Sequence, residues 1–241
     1  MIVWVSLVPT SVELFPKNHF DVAVVIDVLR ATTTLNFALN AGASEIIPAG
    51  SVEEAHNLAE KYPDALLCGE RNGIKVPGFH LGNSPSEYTP QSVAGKTLIF
   101  SSTNGSVMIK RAESMAKNVF LCSLRNVSAV AEKIYSLKPE NILVACSGRE
   151  GFFSIEDGYC AGMLYEKLEE LDEDTTGAND SATITYLLVN YFGYDVDKIF
   201  HESIHARYLT NDLGLWKDIE DAGQIDADKI VPILMEGKIV A

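Results

Sequence analysis

The chain of 241 residues carries 19 lysines and arginines against 33 aspartates and glutamates, giving a formal net charge of −14 at pH 7. Its 47% hydrophobic and 22% charged residues are typical of a globular protein and exclude a disordered chain, a collagen-like fibre and a disulfide scaffold. Because so acidic a surface repels phosphate backbones and anionic lipids, we expect neither a nucleic acid nor a membrane as a partner. An anionic ligand requires a local positive site that overcomes this overall charge.

The amino-terminal apolar run is interrupted at Pro9 and contains no basic residue before Lys17, which indicates a buried strand rather than a secretory peptide. No stretch approaches the ~20 apolar residues that a membrane-spanning helix needs. The four cysteines form no C-x-x-C pair and are weak evidence for disulfides in a chain of this kind. These features predict a cytoplasmic protein.

Short apolar runs along the chain, each followed by polar residues and then by a helical pattern, predict strands. Because these runs are apolar throughout rather than alternating, they are typical of strands covered on both faces, as in parallel α/β sheets. The runs are Ile2–Leu7, Val22–Leu29, Glu45–Ala49, Ala65–Cys68, Thr97–Ser101, Asn118–Cys122 and Asn141–Cys146.

Helix starts are indicated by capping-box patterns at Ser51–Glu54 and Ser154–Asp157, and Asp180 is expected to cap a further apolar helix. Another helix is predicted over roughly 196–209, and the tail over 230–240 reads as a hairpin with a glycine turn. Since no linker or long-period repeat divides the chain, we expect one domain over residues 1–241. The predicted fold class is α/β, a three-layer α/β/α arrangement with a mostly parallel or mixed central sheet.

Four predicted strands end in the same local pattern, with an arginine three residues past an apolar residue. The chain has six arginines, and four of them occupy this position: Arg30, Arg71, Arg125 and Arg149. Ligands of open α/β sheets bind outside the carboxyl ends of the strands, so we expect the four guanidinium groups to converge there into a positive pocket. Guanidinium groups match phosphate, carboxylate and sulfonate oxygens in two-point contacts. The alternative is that each arginine pairs with a nearby surface carboxylate.

The same loops carry neutral hydrogen-bond donors and glycines that suit anion binding. A threonine run leads into a helix whose amino-terminal N–H groups favour an anion, and an Asn-Gly pair permits a tight backbone turn. Taken singly, each of these is also ordinary capping or turn chemistry. The predicted substrate-binding residues are Thr32, Thr33, Arg71, Asn83, Ser84, Thr103, Asn104, Gly105, Ser123, Ser147 and Gly148.

Carboxylates lie among these basic groups. Asp27 closes an apolar run, where burying an unpaired carboxylate is costly, so it requires an arginine, a metal or a proton as its partner. Carboxylates together with phosphate oxygens are the usual ligands of Mg²⁺, and Asp27, Glu70 and Asp157 are the candidate metal ligands. For Asp157 and its neighbour Glu156, the alternative is that they complement the dipole of a helix amino terminus.

The segment His201-Glu-Ser-Ile-His205 fits the H-E-x-x-H pattern of zinc hydrolases, with Asp218 or Glu220 available as a third ligand. A zinc metallopeptidase built on His201, Glu202 and His205 is therefore an alternative function. That hypothesis leaves the polar groups at the sheet edge without a role.

Several of these segments together resemble the 2-phosphosulfolactate phosphatase family of coenzyme M biosynthesis. The resemblance implies a cytoplasmic, Mg²⁺-dependent α/β/α phosphohydrolase that converts (R)-2-phospho-3-sulfolactate to 3-sulfolactate and phosphate. Such a substrate carries a phosphate, a sulfonate and a carboxylate on three carbons. The segments that carry the resemblance are Val25–Thr34, Cys68–Arg71, Gly82–Pro85, Thr103–Gly105 and Cys146–Gly151 with Glu156-Asp157.

On this hypothesis Asp27, with Glu70 or Asp157, holds Mg²⁺ against the phosphoryl oxygens. Arg30, Arg125 and Arg149 neutralise the substrate, so the predicted catalytic residues are Asp27 and these three arginines. Direct attack by water and a phospho-Asp27 intermediate both stay open. A non-catalytic anion-binding module is a further alternative, and a homodimer is a possible assembly.

Overall fold

A computed structural model describes residues 1–16 and 19–241. The strands are β1 (Ile2–Ser6), β2 (Phe20–Ile26), β3 (Glu45–Pro48), β4 (Leu66–Arg71), β5 (Ile74–Lys75), β6 (Thr97–Ser101), β7 (Ala116–Cys122), β8 (Asn141–Cys146), β9 (Thr176–Gly177), β10 (Ile233–Met235) and β11 (Lys238–Val240). Seven of them, β1 to β4 and β6 to β8, coincide with the seven apolar runs. Those strand predictions are confirmed, whereas the short strands β5 and β9 were not predicted.

The described strands form one mixed, mostly parallel sheet in the order β5-β4-β6-β3-β11-β10-β7-β2-β8-β1-β9. One parallel group comprises β4, β6 and β3, and a second comprises β7, β2, β8, β1 and β9. The carboxy-terminal hairpin joins the two groups, because β10 pairs antiparallel with β7 and β11 pairs antiparallel with β3. The predicted α/β fold class and the predicted tail hairpin are both confirmed.

Helices cover both faces of this sheet. They are α1 (Ala31–Asn40), α2 (Val52–Lys61), α3 (Pro90–Val93), α4 (Gly105–Glu113), α5 (Val127–Leu137), α6 (Ile155–Leu171), α7 (Asp180–Phe192), α8 (Val196–Glu202), α9 (Ile204–Arg207) and α10 (Trp216–Ala222). Within the described residues, no helix has both the length and the apolar character needed to cross a membrane.

The alternation of side chains along β2 shows how the layers are built. Val24 and Ile26 belong to the apolar core that also contains residues of α5 and α6. Ala23 and Val25 belong to the opposite core, which contains residues of α1 and α4. Since neighbouring residues of a strand point to opposite faces, a strand that is apolar throughout must be covered on both sides. The result is three layers, α/β/α.

All three predicted helix starts differ in detail from the structure. The cap of α7 is Asn179, whose Oδ1 accepts the Ala182 N–H at 3.2 Å, and the prediction of Asp180 as the cap is wrong. Ser51 caps α2 as predicted by accepting the Glu54 N–H at 3.0 Å, but the Glu54 carboxylate accepts the N–H of Gly50 rather than that of Ser51. Ser154 precedes α6 without a side-chain cap, and the Asp157 carboxylate accepts the N–H groups of Val28 and Gly148 rather than that of Ser154. The capping box predicted at Ser154 is therefore wrong.

The helix predicted over 196–209 is interrupted. Ser203 adopts an extended conformation, with φ −65° and ψ 121°, and separates α8 from α9. Its hydroxyl accepts the N–H of Ala206, so the same residue that ends one helix caps the next. A single turn of π-helix over Tyr208–Asp212 follows α9.

Candidate functional site

A cavity of about 340 Å³ opens at the carboxyl ends of several parallel strands, where open α/β sheets bind their ligands. Asp27 follows β2, Glu70 lies near the end of β4, Thr103 and Asn104 follow β6, and Arg149 follows β8. Segments distant in sequence complete the wall. The lining residues are Asp27, Leu29, Arg30, Glu70, Asn72, Gly73, Asn83, Thr103, Asn104, Arg149, Glu150, His205 and Tyr208.

The turn between β2 and α1 fixes Asp27. Its Oδ1 accepts the N–H of Ala31 at 3.0 Å, and the Thr32 hydroxyl donates to its carbonyl oxygen at 2.8 Å. The Thr33 hydroxyl likewise donates to the carbonyl of Val28 at 2.8 Å. The hydroxyl groups of Thr32 and Thr33, which were predicted to bind substrate, therefore hydrogen-bond to the backbone of this turn, and neither residue lines the cavity.

Gly105 allows the start of α4 to approach Asp27. A Cβ at this position would overlap the Ala31 Cβ and would lie 2.6 Å from Asp27 Oδ2. Any side chain here would therefore displace the carboxylate. Gly105 shapes the site without lining the cavity, although it was predicted as a binding residue.

The Asp27 carboxylate lies in an unfavourable electrostatic environment. Burial raises its pKa from 3.8 to about 6, and the negative charges of Glu70 and Glu156 act in the same direction. The Ala31 N–H and His205 lower this pKa, but they do not compensate. No donor from residues 1–16 or 19–241 is hydrogen-bonded to Oδ2, so this oxygen remains available for a ligand.

Glu70 is held in place from two sides of the cavity. Its Oε1 accepts the Thr103 N–H at 2.8 Å, and its Oε2 accepts the Gly73 N–H at 2.7 Å and the Thr103 hydroxyl at 3.2 Å. These hydrogen bonds fix the carboxylate at the cavity wall. Asp27 and Glu70, both predicted as metal ligands, thus line the same cavity.

Asp157, the third predicted metal ligand, does not line the cavity. One carboxylate oxygen accepts the Val28 N–H at 2.8 Å, and the other accepts the Gly148 N–H at 2.9 Å. Burial, followed by the charges of Asp27 and Glu156, raises the pKa of Asp157 well above its ordinary value. Asp157 therefore ties the loop after β2 to the loop after β8 from behind the wall.

Arg30 lines the cavity, but its charge is already matched. Its Nη1 donates to Asp218 Oδ2 at 2.6 Å and to the Ser84 hydroxyl at 3.2 Å, and its Nη2 donates to the Gly73 carbonyl at 2.7 Å. The side chains of Arg30 and Asp218 are 3% and 2% exposed, so this is a buried ion pair. Ser84 contributes to the pair by donating to the same carboxylate oxygen at 2.8 Å.

Arg149 is the more available cation. Its guanidinium stacks over the Tyr208 ring at 4.4 Å, and its side chain is 24% exposed. The one acidic group within salt-bridge distance among the described residues is the largely exposed Glu150, at 3.5 Å. Such a pair is weak, so the Arg149 charge remains available to an anion in the cavity.

The expected convergence of four arginines is wrong, since two of the four line the cavity. Arg125 instead contacts Asp228 through Nε at 2.6 Å and Nη2 at 3.2 Å, and it donates to the Asp221 carbonyl at 2.8 Å. Arg71 donates to the carbonyl and hydroxyl of Ser101 at 3.0 and 2.9 Å. These guanidinium groups anchor the carboxy-terminal segment and the end of β6.

Of the other predicted binding residues, some line the cavity and some do not. Asn83, Thr103 and Asn104 line the cavity, and the buried Oδ1 of Asn83 has no hydrogen-bond partner in the described part of the chain. Ser84 borders an adjoining cavity. Ser123 hydrogen-bonds Asn126, while Ser147 and Gly148 are held through their backbone N–H groups, and none of the three lines the cavity.

The two histidines of the H-E-x-x-H segment do not share a helix face. His201 lies in the last turn of α8 with its side chain 83% exposed, whereas His205 lies on α9, beyond the break at Ser203, with its side chain 15% exposed. Over residues 1–16 and 19–241, no group of three metal-binding side chains is present. Asp218, a candidate third ligand, is paired with Arg30. The zinc-site hypothesis is wrong.

His205 and Tyr208 line the cavity, yet no pattern in the sequence assigned them to it. The H-E-x-x-H pattern did single out His205 as a candidate functional residue, but as a zinc ligand rather than as part of this cavity. Its orientation depends on the extended conformation of Ser203, which separates it from His201. Tyr208 lies in the following π-helical turn, where its hydroxyl donates to the Asn72 carbonyl at 3.2 Å.

The charges of the site leave the cavity without the strongly positive character that the sequence predicted. Buried carboxylates lie on its wall or directly behind it: Asp27, Glu70, Glu156 and Asp157. Against them stand Arg30, which Asp218 neutralises, and Arg149. An anionic ligand in this cavity therefore meets buried carboxylates as well as the guanidinium of Arg149.

Comparison with known proteins identifies relatives over nearly the full chain. The sequence profile of a family described as 2-phosphosulpholactate phosphatase matches residues 9–237. A protein from Deinococcus radiodurans is 38% identical over 227 residues, covering 94% of this chain and 93% of its own. Proteins from Caldanaerobacter subterraneus subsp. tengcongensis and Carboxydothermus hydrogenoformans are each 42% identical, covering 93% of this chain and 90% and 92% of their own. All three are named "Probable 2-phosphosulfolactate phosphatase".

Proposed function

The chain belongs to the 2-phosphosulfolactate phosphatase family, and from this premise we propose that it hydrolyses (R)-2-phospho-3-sulfolactate to 3-sulfolactate and phosphate. The reaction takes place in the cavity lined by Asp27 and Arg149. The observation that carries the proposal is that this cavity combines a carboxylate with a free oxygen, Asp27 Oδ2, and a guanidinium without a buried acidic partner, Arg149. The free carboxylate oxygen suits phosphoryl chemistry, and the guanidinium suits an anionic substrate.

Mg²⁺ is the cation that we propose to accompany the substrate. Asp27 and Glu70 would hold it, and the unpartnered Oδ1 of Asn83 offers a third oxygen on the same wall. This donor set suits Mg²⁺, which binds through one or two carboxylates and otherwise keeps water and phosphate oxygens as ligands. When bound, the ion supplies positive charge to the phosphoryl oxygens. Asp157 is not assigned to it, because Asp157, unlike Glu70, does not line the cavity.

The chain's own residues orient the organic part of the substrate. Arg149 presents its guanidinium to the sulfonate or the carboxylate, and its stacking on Tyr208 limits the conformations that it must lose on binding. Arg30 acts differently. Since its ion pair with Asp218 is already formed, it stabilises the loop after β2 and adds little net charge.

The phosphatase hypothesis is tested by measuring phosphate release from synthetic 2-phospho-3-sulfolactate with the purified full-length chain. We expect release in the presence of Mg²⁺, loss of release with EDTA, and preference for the R enantiomer. Asp27→Asn should abolish release, whereas Asp64→Asn, a matched change at an exposed position, should not. Binding of the ester without release would favour the anion-binding module instead. Release that is unaffected by Asp27→Asn would refute the assignment of the site.

The same proposal places the product as a sulfonated hydroxy acid, in keeping with the role in coenzyme M biosynthesis that the family resemblance implies. That the protein is cytoplasmic and that it forms a homodimer remain predictions.

A further inference from the structure

Two titratable side chains that the proposed chemistry does not use face each other, one lining the cavity and the other buried behind it. Glu156 lies in the first turn of α6 with its side chain 1% exposed, and His205 lies on α9. The distance from Glu156 Oε1 to His205 Nδ1 is 3.4 Å. They are far apart in sequence, and the helix break at Ser203 brings them together.

Each of these two atoms lacks any other partner. Glu156 Oε1 and His205 Nδ1 are buried and accept or donate no hydrogen bond of good geometry within residues 1–16 and 19–241. Leaving buried polar atoms unpaired is costly, so the neighbouring atom at 3.4 Å is the natural partner for each. A small rotation of the imidazole makes Nδ1–H a donor to Oε1.

Ser203 fixes the carboxylate of this pair. Its hydroxyl donates to Glu156 Oε2 at 2.8 Å and accepts the Ala206 N–H at 2.9 Å. The residue that starts α9 therefore also holds the acid that faces the histidine of α9. This arrangement places the Nδ1 hydrogen toward Glu156 and leaves Nε2, the nitrogen on the far side of the ring, to the ligand. His205 lines the cavity, and Nδ1 is its buried, unpartnered ring nitrogen, so Nε2 is the nitrogen left for a ligand.

We propose, on the premise of the phosphatase activity above, that His205 is the general acid for the leaving group and that Glu156 is its positioning residue. The bond between phosphorus and the C2 oxygen breaks, and its electron pair stays on that oxygen. The Nε2 proton moves to the same oxygen and forms the hydroxyl of sulfolactate. Water supplies the oxygen of the new bond to phosphorus, and a proton from this water restores the imidazolium, which leaves phosphate.

The chemistry of the leaving group explains why such a proton is required. An alkoxide next to carboxylate and sulfonate groups is a poor leaving group at neutral pH, and protonation removes its charge as the bond breaks. The ring lies among carboxylates, because Glu156 Oε1 is 3.4 Å from Nδ1 and because Asp27 and Glu70 line the same cavity as His205. Glu156 also selects the tautomer that leaves Nε2 for the substrate.

The test compares two phosphate esters whose leaving groups differ in their need for a proton. One is 2-phospho-3-sulfolactate, and the other is 4-nitrophenyl phosphate, whose nitrophenolate departs without one. We expect His205→Gln to lower kcat for the sulfolactate ester by about 10²–10⁴-fold and to change kcat for the nitrophenyl ester by less than about tenfold. Glu156→Gln should give the same selective pattern with a smaller loss. The control is His201→Gln, which alters the exposed histidine of the same segment and should affect neither ester.

Equal losses of kcat for both esters in His205→Gln, or no loss for either, would overturn the proposed general acid and leave the phosphatase assignment intact. Wild-type protein that releases phosphate from neither ester would instead refute the phosphatase assignment. If the wild-type protein hydrolyses neither ester, the pairing of Glu156 with His205 can still be tested by a measurement that needs no turnover. In ¹H–¹⁵N spectra of the imidazoles at a pH where the ring is neutral, His205 should carry its hydrogen on Nδ1, and Glu156→Gln should weaken this preference. A wild-type ring protonated on Nε2 would overturn the pairing.

Discussion

Replacing Asp27 with asparagine tests the electrostatic cost that the cavity places on this carboxylate. Asparagine keeps the size of the side chain and an oxygen to accept the Ala31 N–H, and it removes the charge. A pKa raised from 3.8 in the unfolded chain to about 6 in the folded protein means that the folded state binds more protons between these two pH values. The stability of the wild-type protein therefore falls as the pH rises through this range.

The size of the effect follows from the pKa. At 1.36 kcal/mol for each pH unit, a pKa raised from 3.8 to about 6 corresponds to a loss of about 3 kcal/mol above pH 6. Because the asparagine side chain does not titrate, Asp27→Asn should be more stable than the wild type by up to about 3 kcal/mol at pH 7.5. The difference should shrink toward zero near pH 4, where Asp27 is protonated in the native state.

Urea unfolding in EDTA at pH 4, 5, 6 and 7.5 measures this difference, with Asp64→Asn as the matched surface control. Adding Mg²⁺ at pH 7.5 should narrow the gap, because the ion binds the native wild type better than the variant. An Asp27→Asn protein that is less stable than the wild type at pH 7.5, or more stable by the same amount at every pH, would refute the reasoning.

Three further predictions separate the arginines by role. Arg30→Met leaves Asp218 buried without its cation and should lower the free energy of unfolding by about 3–5 kcal/mol, measured by urea denaturation. Adding Asp218→Asn to it should recover part of the loss, and no recovery would contradict the ion-pair account. Arg149→Met should raise KM about 30-fold or more, or about 2 kcal/mol, with an unchanged Tm. Arg125→Met should lower the Tm and leave KM unchanged, because Arg125 pairs with Asp228. A raised KM in Arg125→Met would restore its predicted role in binding.

The sequence located the edge of the sheet at which the cavity lies. The apolar runs predicted the parallel strands, and the polar residues that follow them include Asp27, Glu70 and Arg149. This succeeded because a strand covered on both faces leaves a clear apolar signature, and because the carboxyl ends of parallel strands meet at one edge. Patterns of this kind are formed by residues that are close together in the chain, so they can be recognised from the sequence alone.

The roles of the arginines could not be predicted in the same way. Arg30 and Arg125 occupy equivalent positions after strands, but each forms an ion pair with an aspartate of the carboxy-terminal segment. Arg30 pairs with Asp218, and Arg125 pairs with Asp228. Those partners lie 188 and 103 residues away in sequence, so only the tertiary fold reveals them. His205 was missed for a related reason, since its direction depends on the break at Ser203.

The most direct test of the account is to locate the cation and the anion together. Crystals of the protein grown with Mn²⁺ in place of Mg²⁺, and with phosphate and 3-sulfolactate, allow the metal to be found by its anomalous scattering. The account predicts a metal peak in contact with the carboxylates of Asp27 and Glu70, and a sulfonate or carboxylate on the guanidinium of Arg149. A metal bound elsewhere, or product groups bound away from Arg149, would contradict it.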